Sequence, residues 1–267
     1  MKELEGKTVL ITGGGSGIGK LMGKLVLEKG SNLIIFDINA ENLKTTISEF
    51  SKLGQISGYQ VDVSNPEEVT KTASLVKKEQ NVIDVIINNA GIVVGKYFHE
   101  HSILDIERTI NINTLAPMYV TLEFLPQMMK RNSGHICNIA SSAGLISNPK
   151  MSVYAASKWA LIGWSDSLRL EMKQLEQDIH ITTVNPYYID TGMFSGVRSL
   201  VPVLKPEKVA KQVIRAIERN RIFLTMPWSM RIVRLSQGLF PVWFFDWFVG
   251  KVLGMYKTMD HFEGRKD

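Results

Sequence analysis

Residues 154–158 read Tyr-Ala-Ala-Ser-Lys inside a strong helical pattern, so Tyr154 and Lys158 stand four residues apart on one helix face. A free phenol has a pKa near ~10 and is no base at neutral pH. A neighbouring ammonium, joined by a second cation, favours the phenolate. Lowering the phenol by about 3 units takes roughly 4 kcal/mol of differential stabilisation, within reach of two cations in a partly buried cleft. Taken alone, such a pair is usually an ordinary surface or packing pair. Its surroundings add weight. Ser141 precedes Tyr154 by 13 residues and can hydrogen-bond a substrate oxygen. Asn113, in Asn111-Ile112-Asn113-Thr114, can interrupt helix bonding and hold a water that Lys158 also touches.

Near the start, an apolar run enters Thr12-Gly13-Gly14-Gly15-Ser16-Gly17-Ile18-Gly19, and a helical pattern follows. Glycines at 13, 15, 17 and 19 allow a tight turn and close backbone approach to a pyrophosphate. Ser16, Ile18 and the helix N-terminus supply free N–H groups and partial positive charge. The loop reads as a dinucleotide site, and an oxidised nicotinamide would be the second cation beside Tyr154. Asp37 follows Gly19 by 18 residues, at the end of a second apolar run. There it can accept hydrogen bonds from the adenosine ribose hydroxyls and repel a 2′-phosphate, which favours NAD over NADP. The alternative is that Asp37 caps the helix from residue 40. Asp62 and Val63 can border the adenine, although Asp62 also suits a solvated turn. Asn89, Ala90 and Gly91 end a fourth run, where glycine keeps the backbone open beside the cofactor. Thr191, in Asn185-Pro186-Tyr187-Tyr188-Ile189-Asp190-Thr191, can meet the nicotinamide carboxamide.

Strands at 8–11, 33–36, 57–61, 83–87, 135–139 and 179–184, with a weaker seventh at 222–224, must position these residues. The first six are mostly apolar along their length, as strands covered on both faces are. Helical patterns at 17–29, 40–53, 66–79, 103–130, 152–177 and 206–219 alternate with them. The expected fold is α/β, a Rossmann-type doubly wound parallel sheet of about seven strands with helices on both faces. Ligands in such sheets bind beyond the C-terminal strand ends. The division expected is a catalytic domain at 1–225 and an aromatic, basic extension of helical character at 226–267.

The chain has 267 residues, 45% hydrophobic and 21% charged, which excludes a disordered or fibrous protein. Its single cysteine, Cys137, excludes an internal disulfide and leaves a Cys-based metal site without ligands. His99-Glu100-His101 hints at a metal, but no further ligands have suitable spacing, so a solvated loop is preferred and no metal is expected. The opening MKELEGKTVLITGGG carries charge at once, so the expected location is cytoplasmic. Residues 198–267 hold 13 Lys/Arg against 6 Asp/Glu, whereas residues 1–197 hold 18 against 20. The basic character therefore belongs to one segment, which points away from nucleic acid and towards a separate surface. Within that segment, residues 239–249 carry six aromatics and are interrupted by Pro241 and Asp246. Either they form a lid or subunit contact, or Trp and Phe enter a lipid boundary while Arg231, Arg234, Lys251 and Lys257 meet anionic headgroups.

Taken in order, TGGGSGIG, NNAG, the Asn113 helix, Ser141, YAASK and the NP…T segment closely resemble the short-chain dehydrogenase/reductase family over residues 5–225. The resemblance implies Tyr154 as general acid/base and Lys158 as its pKa depressor and ribose ligand. It further implies Ser141 as substrate orienter, Asn113 as proton-relay residue and Pro186 beside the cofactor. One departure is Tyr187, where the family usually has glycine after proline; it can narrow the cleft. The tail from 236 to 265 resembles those of retinol- and hydroxysteroid-dehydrogenase-like members. The implied function is NAD-dependent hydride transfer to or from an apolar alcohol, aldehyde or ketone. Met151, Val153, Tyr187, Met193 and Phe194 are expected on the substrate wall, and a homodimer or homotetramer is implied. The alternatives are an acyl-carrier-protein ketoreductase, which typically pairs with NADP and an arginine in the glycine loop, and a non-catalytic NAD-sensing or scaffold protein.

Overall fold

A computed structural model describes residues 3–80 and 82–264; Arg265, the last residue of the tail resemblance, lies outside them. Seven strands form one parallel sheet: β1 (Thr8–Thr12), β2 (Asn32–Asp37), β3 (Ile56–Gln60), β4 (Val85–Asn88), β5 (Gly134–Ile139), β6 (Ile179–Pro186) and β7 (Phe223–Met226). Their spatial order is β3-β2-β1-β4-β5-β6-β7. Strand order reverses between β1 and β4, so a crevice opens there at the C-terminal strand ends.

Alternation along the strands builds two cores. Val9, Ile11, Leu33 and Ile35 face one layer, with α1 (Gly17–Leu27) and α7 (Pro206–Glu218) over them. Leu10, Ile34, Phe36 and Ile86 face the other, beneath α3 (Pro66–Gln80), α5 (Ala116–Arg131) and α6 (Ser152–Gln174). Helix α2 (Ala40–Phe50) sends Leu43 and Phe50 into the first core. β1 is buried at every position, whereas most of β3 is only half-buried. Covering on both faces therefore fails for the third strand, which is an edge with one neighbour.

The helical pattern at 103–130 is not one α-helix. α4 (Ile103–Ile110) passes into a π-turn at Asn111–Leu115 before α5 begins. A capping box starts α4: Ser102 Oγ accepts from Asp105 N, and Asp105 Oδ2 accepts from Ser102 N. At the π-turn, an Asn side chain leaves the helix surface for other partners.

Beyond β7 the chain forms α8 (Met230–Leu239), α9 (Val242–Phe245), a π-helical run Asp246–Val252 and a 3-10 turn Met255–Lys257. The inward residues Met230, Phe245, Val249, Met255 and Met259 share an apolar cluster with Tyr154, Tyr187 and Tyr188. Among the described residues no helix is long and apolar enough to cross a membrane.

Polar side chains fasten the central strands. Asn88 Nδ2 donates to Asn138 Oδ1 at 2.8 Å, Asn138 Nδ2 donates to Ser165 Oγ at 2.8 Å, and Ser165 donates to the Leu161 carbonyl at 2.6 Å. This buried chain ties β4 to β5 and β5 to α6. Asn138→Ala leaves buried groups short of partners and should lower unfolding free energy by about 2–3 kcal/mol. Urea unfolding checks this; a loss below about 0.5 kcal/mol would show the chain to be dispensable.

Candidate active site

The glycine loop leaves β1 at Thr12, whose Oγ1 accepts from the N–H groups of both Asn89 and Ala90 at 3.0 Å. Asn89 Nδ2 returns the link, donating to the carbonyls of Thr12 and Gly13 at 3.0 and 3.1 Å. The ends of β1 and β4 are thus locked together under the crevice. Gly13 and Gly17 adopt φ of 64° and 54°. A Cβ on Gly19 would lie 2.2 Å from the Gly13 carbonyl oxygen, so only glycine lets α1 start so close to the loop. Ser16 precedes α1 without a side-chain cap bond, so the helix begins with donors available to a ligand.

Asp37 ends β2, with Oδ2 accepting from Gly15 N at 2.8 Å and Oδ1 from Asn39 N at 3.0 Å. Asp37 is therefore not the cap of α2. Asn39 is, its side chain accepting from Asn42 N at 2.8 Å. Thr46 braces the loop from α2, donating to the Gly15 carbonyl. Asp62 is a turn residue, its Oδ1 accepting from the Ser64 N–H and hydroxyl, and it also borders the crevice.

On the other side, Ser141 follows β5 and accepts from Ala143 N at 3.1 Å. Tyr154 and Lys158 come from the first turns of α6, with Nζ 5.8 Å from the phenol ring centre. Nζ donates to the Ile139 carbonyl at 3.0 Å. Asn113 is buried behind Gly91: its Oδ1 accepts from Ile92 N at 2.9 Å, and its Nδ2 donates to the Ile92 carbonyl and to Ser157 Oγ. The side-chain amide is thereby committed to the loop after β4 and to α6. Direct contact with a ligand is left to its neighbours.

A cavity of about 290 Å³ joins these parts. Gly13, Ser16, Gly17, Ile18, Asp37, Asp62 and Val63 line one stretch; Asn89, Ala90, Gly91, Ser141, Tyr154, Lys158, Pro186 and Thr191 line the rest. Gly15, Gly19 and Asn113 stand behind that wall. Of the apolar wall expected for a substrate, Tyr187, Met193 and Phe194 line this cavity. Met151 lines a smaller one of about 30 Å³ beside it, and Val153 is buried outside both linings. Tyr187 is fixed by its hydroxyl bond to Ser199 at 2.8 Å and by its edge-on ring contact with Tyr188. Thr12 and Thr46 were not singled out from sequence; the threonine opening TGGG was the available signal for the first. The His99-Glu100-His101 run lies at a 3-10 turn where Glu100 accepts from Tyr97 N–H.

A dinucleotide fits this wall: a glycine cradle and an uncapped helix start face a phosphate, and a carboxylate stands at the end of β2. Burial pushes the Tyr154 phenol up to about 12, with the Ser141 hydroxyl pulling the other way and Tyr188 adding to the rise. Burial brings the Lys158 ammonium down to about 8. The depression expected from sequence draws on two cations, Lys158 and an oxidised nicotinamide, whereas this rise comes from the protein's own groups. Lys158 is itself desolvated, and its Nζ is directed at the Ile139 carbonyl, so removal from water dominates the protein's own field.

A sequence model of the family described as short chain dehydrogenase matches residues 7–200. Epidermal retinol dehydrogenase 2 of Mus musculus is 34% identical, covering 99% of this chain and 88% of its own. Short-chain dehydrogenase/reductase family 16C member 6 of Bos taurus is 36% identical, covering 85% and 74%. Among solved structures, a short chain dehydrogenase/reductase of Burkholderia phymatum in complex with NAD has a TM-score of 0.82 at 25% identity, covering 89% and 95%. A metagenomic short-chain oxidoreductase in complex with NADP shares the fold, with a TM-score of 0.72 at 24% identity, covering 83% and 95%.

The shift at Lys158 carries a pH signature. In the folded chain the amine loses its proton near pH 8, but in the unfolded chain it keeps it to about 10.5. The unfolded state binds more protons in that window, so the burial cost is full below pH 8 and fades towards 10.5. Unfolding free energies of the wild type and Lys158→Met should therefore move in the wild type's favour between pH 7 and pH 10. Parallel pH curves would mean that the ammonium is not desolvated.

Proposed function

The chain belongs to the short-chain dehydrogenase/reductase family, whose members are NAD(P)-binding oxidoreductases, and from that premise we propose NAD-dependent hydride transfer to or from an apolar alcohol, aldehyde or ketone. The observation that carries this reading is the presence of Ser141, Tyr154 and Lys158 on one cavity wall with the glycine loop and Asp37. When bound, the nicotinamide supplies or accepts the hydride at its C4. Tyr154 handles the proton. A phenol held neutral by burial donates to the carbonyl oxygen as reduction proceeds. In oxidation the phenolate takes the hydroxyl proton, the cation of the oxidised cofactor and the Lys158 ammonium offsetting the cost of burial. Ser141 orients the substrate oxygen, and Lys158 also reaches the ribose hydroxyls. Asn113 completes a proton relay, its amide fixing Ile92 and Ser157 while it works through water.

Charge placement supports NAD over NADP. Among the described residues lining the cavity, the charged ones are Asp37, Asp62 and Lys158. The carboxylate of Asp37 therefore meets the adenosine ribose without a cation beside it on that wall, and a 2′-phosphate would be repelled. Tyr187, Met193 and Phe194 favour an apolar substrate, as do relatives named for retinol; retinol-, steroid- and long-chain-alcohol-like molecules form the class. Residues 1–225 act as the catalytic unit and 226–267 as its cover. Leu122 on α5 and Trp159 on α6 are exposed, which suits pairing of these helices in a homodimer or homotetramer. The presence of both Tyr154 and Lys158 weighs against a sensor without turnover, and Ser16 with Asp37 against an NADP-linked acyl-carrier-protein ketoreductase.

Two variants test the assignments. Tyr154→Phe should keep NAD affinity within about twofold while kcat falls about 10²–10⁴-fold; turnover near wild type would remove the tyrosine from the proton step. Asp37→Ala should raise the NADP/NAD ratio of kcat/KM about tenfold or more, equivalent to about 1.4 kcal/mol. An unchanged ratio would reduce Asp37 to a brace for Gly15.

A further inference from the structure

The extension after β7 has two unlike faces. Its inner residues belong to the cluster that contains Tyr154 and Tyr187. Its outer face is apolar and uncovered: Trp228, Ile232, Leu235 and Leu239 are 70%, 53%, 65% and 69% exposed. Successive spacings of four, three and four residues place the last three along one stripe of α8, with Trp228 one turn ahead. Val242, Trp243, Trp247 and Val252 continue the exposed apolar surface. Phe244 organises the rings, lying 5.1–6.4 Å from those of Phe240, Trp243, Trp247 and Phe248.

Charge selects the occupant. Arg231, Arg234, Lys251 and Lys257 are exposed within 228–257, against one carboxylate, Asp246, which accepts from the Tyr256 hydroxyl. On α8 the two arginines border the apolar stripe along one side. Arg231 Nη2 donates to the Phe223 carbonyl, which fixes its side chain at the border of the stripe. A second copy of the chain would bring like charge against like charge, a costly juxtaposition. An anionic lipid surface would take the cations at its phosphates and the Trp, Leu and Ile side chains at the headgroup–acyl boundary.

We propose that the outer face of residues 228–252 docks on an anionic bilayer surface. The α8 stripe and the 242–248 aromatics lie in the interface, with Arg231, Arg234 and Lys251 at the headgroups. Because Phe245 and Val249 point from the same segment into the Tyr154 cluster, docking sets the substrate cavity directly behind the lipid-facing layer.

Co-sedimentation of the full chain with vesicles of phosphatidylcholine, alone or mixed with phosphatidylserine, tests this without reference to turnover. Half-binding should need about tenfold less lipid, or better, when phosphatidylserine is present. Arg231→Glu with Arg234→Glu should erase that difference. Trp243→Ala with Trp247→Ala should weaken binding to both vesicle types, while NAD affinity and the urea midpoint stay as in the wild type. Protein that remains in the supernatant with both vesicle types, or charge-reversed protein that binds as the wild type does, overturns the proposal. A concentration-dependent dimer dissolved by the tryptophan changes, without vesicle binding, also overturns it by assigning the face to a second copy.

Discussion

The amide of Asn113 holds the catalytic side of the molecule to the side that would carry the cofactor. It accepts from and donates to the backbone of Ile92 and donates to Ser157, so one buried side chain joins the loop after β4 to the helix bearing Tyr154 and Lys158. Asn113 sits in the π-turn at Asn111–Leu115, where regular helix bonding is interrupted and its side chain is buried. Ser157 in turn donates to the Tyr154 carbonyl at 2.7 Å. The hydrogen-bonded chain from the Ile92 backbone through Asn113 and Ser157 therefore ends on the main chain of the helical turn that carries Tyr154.

Around that anchor, charges are separated along the cavity. Asp37 and Asp62 border one stretch, and Lys158 stands beside Tyr154 in another. Burial of both Tyr154 and Lys158 destabilises their charged forms, so the site is electrostatically costly before any ligand contributes. The C-terminal extension maintains that burial. Met230, Phe245, Val249 and Met255 close the apolar side of the cluster that includes Tyr154, while their neighbours on the same segment face outwards.

Much of this was legible in the sequence because it rests on local rules. The seven strand candidates became seven strands, and the glycine pattern fixed where the phosphate loop begins, since a side chain at Gly19 would strike the Gly13 carbonyl. Features decided by tertiary partners were less legible. The residues Asn111-Ile112-Asn113-Thr114 marked an interruption of helix bonding, and the π-turn lies there, but the apolar spacing of 103–130 runs through it and does not show its form. The third strand, with Ser57, Gly58 and Gln60, is less apolar than its neighbours, in keeping with the half-buried edge that sheet order gives it. Asp37 and Asn39 are both acceptable caps by type, and only backbone geometry assigns the cap to Asn39. The direction of the Tyr154 shift depends on how deeply both members of the pair are buried, which spacing along a helix does not express.

The central claim is that one wall binds NAD, excludes a 2′-phosphate and presents Tyr154 to an apolar alcohol. The direct test is cofactor reduction by the purified protein, with NAD and with NADP, over primary alcohols graded by chain length. The account predicts turnover with NAD that increases with apolar length, each added methylene contributing up to about 0.8 kcal/mol to kcat/KM, and NADP slower by about tenfold or more. Turnover confined to short polar alcohols, or faster with NADP than with NAD, would contradict it.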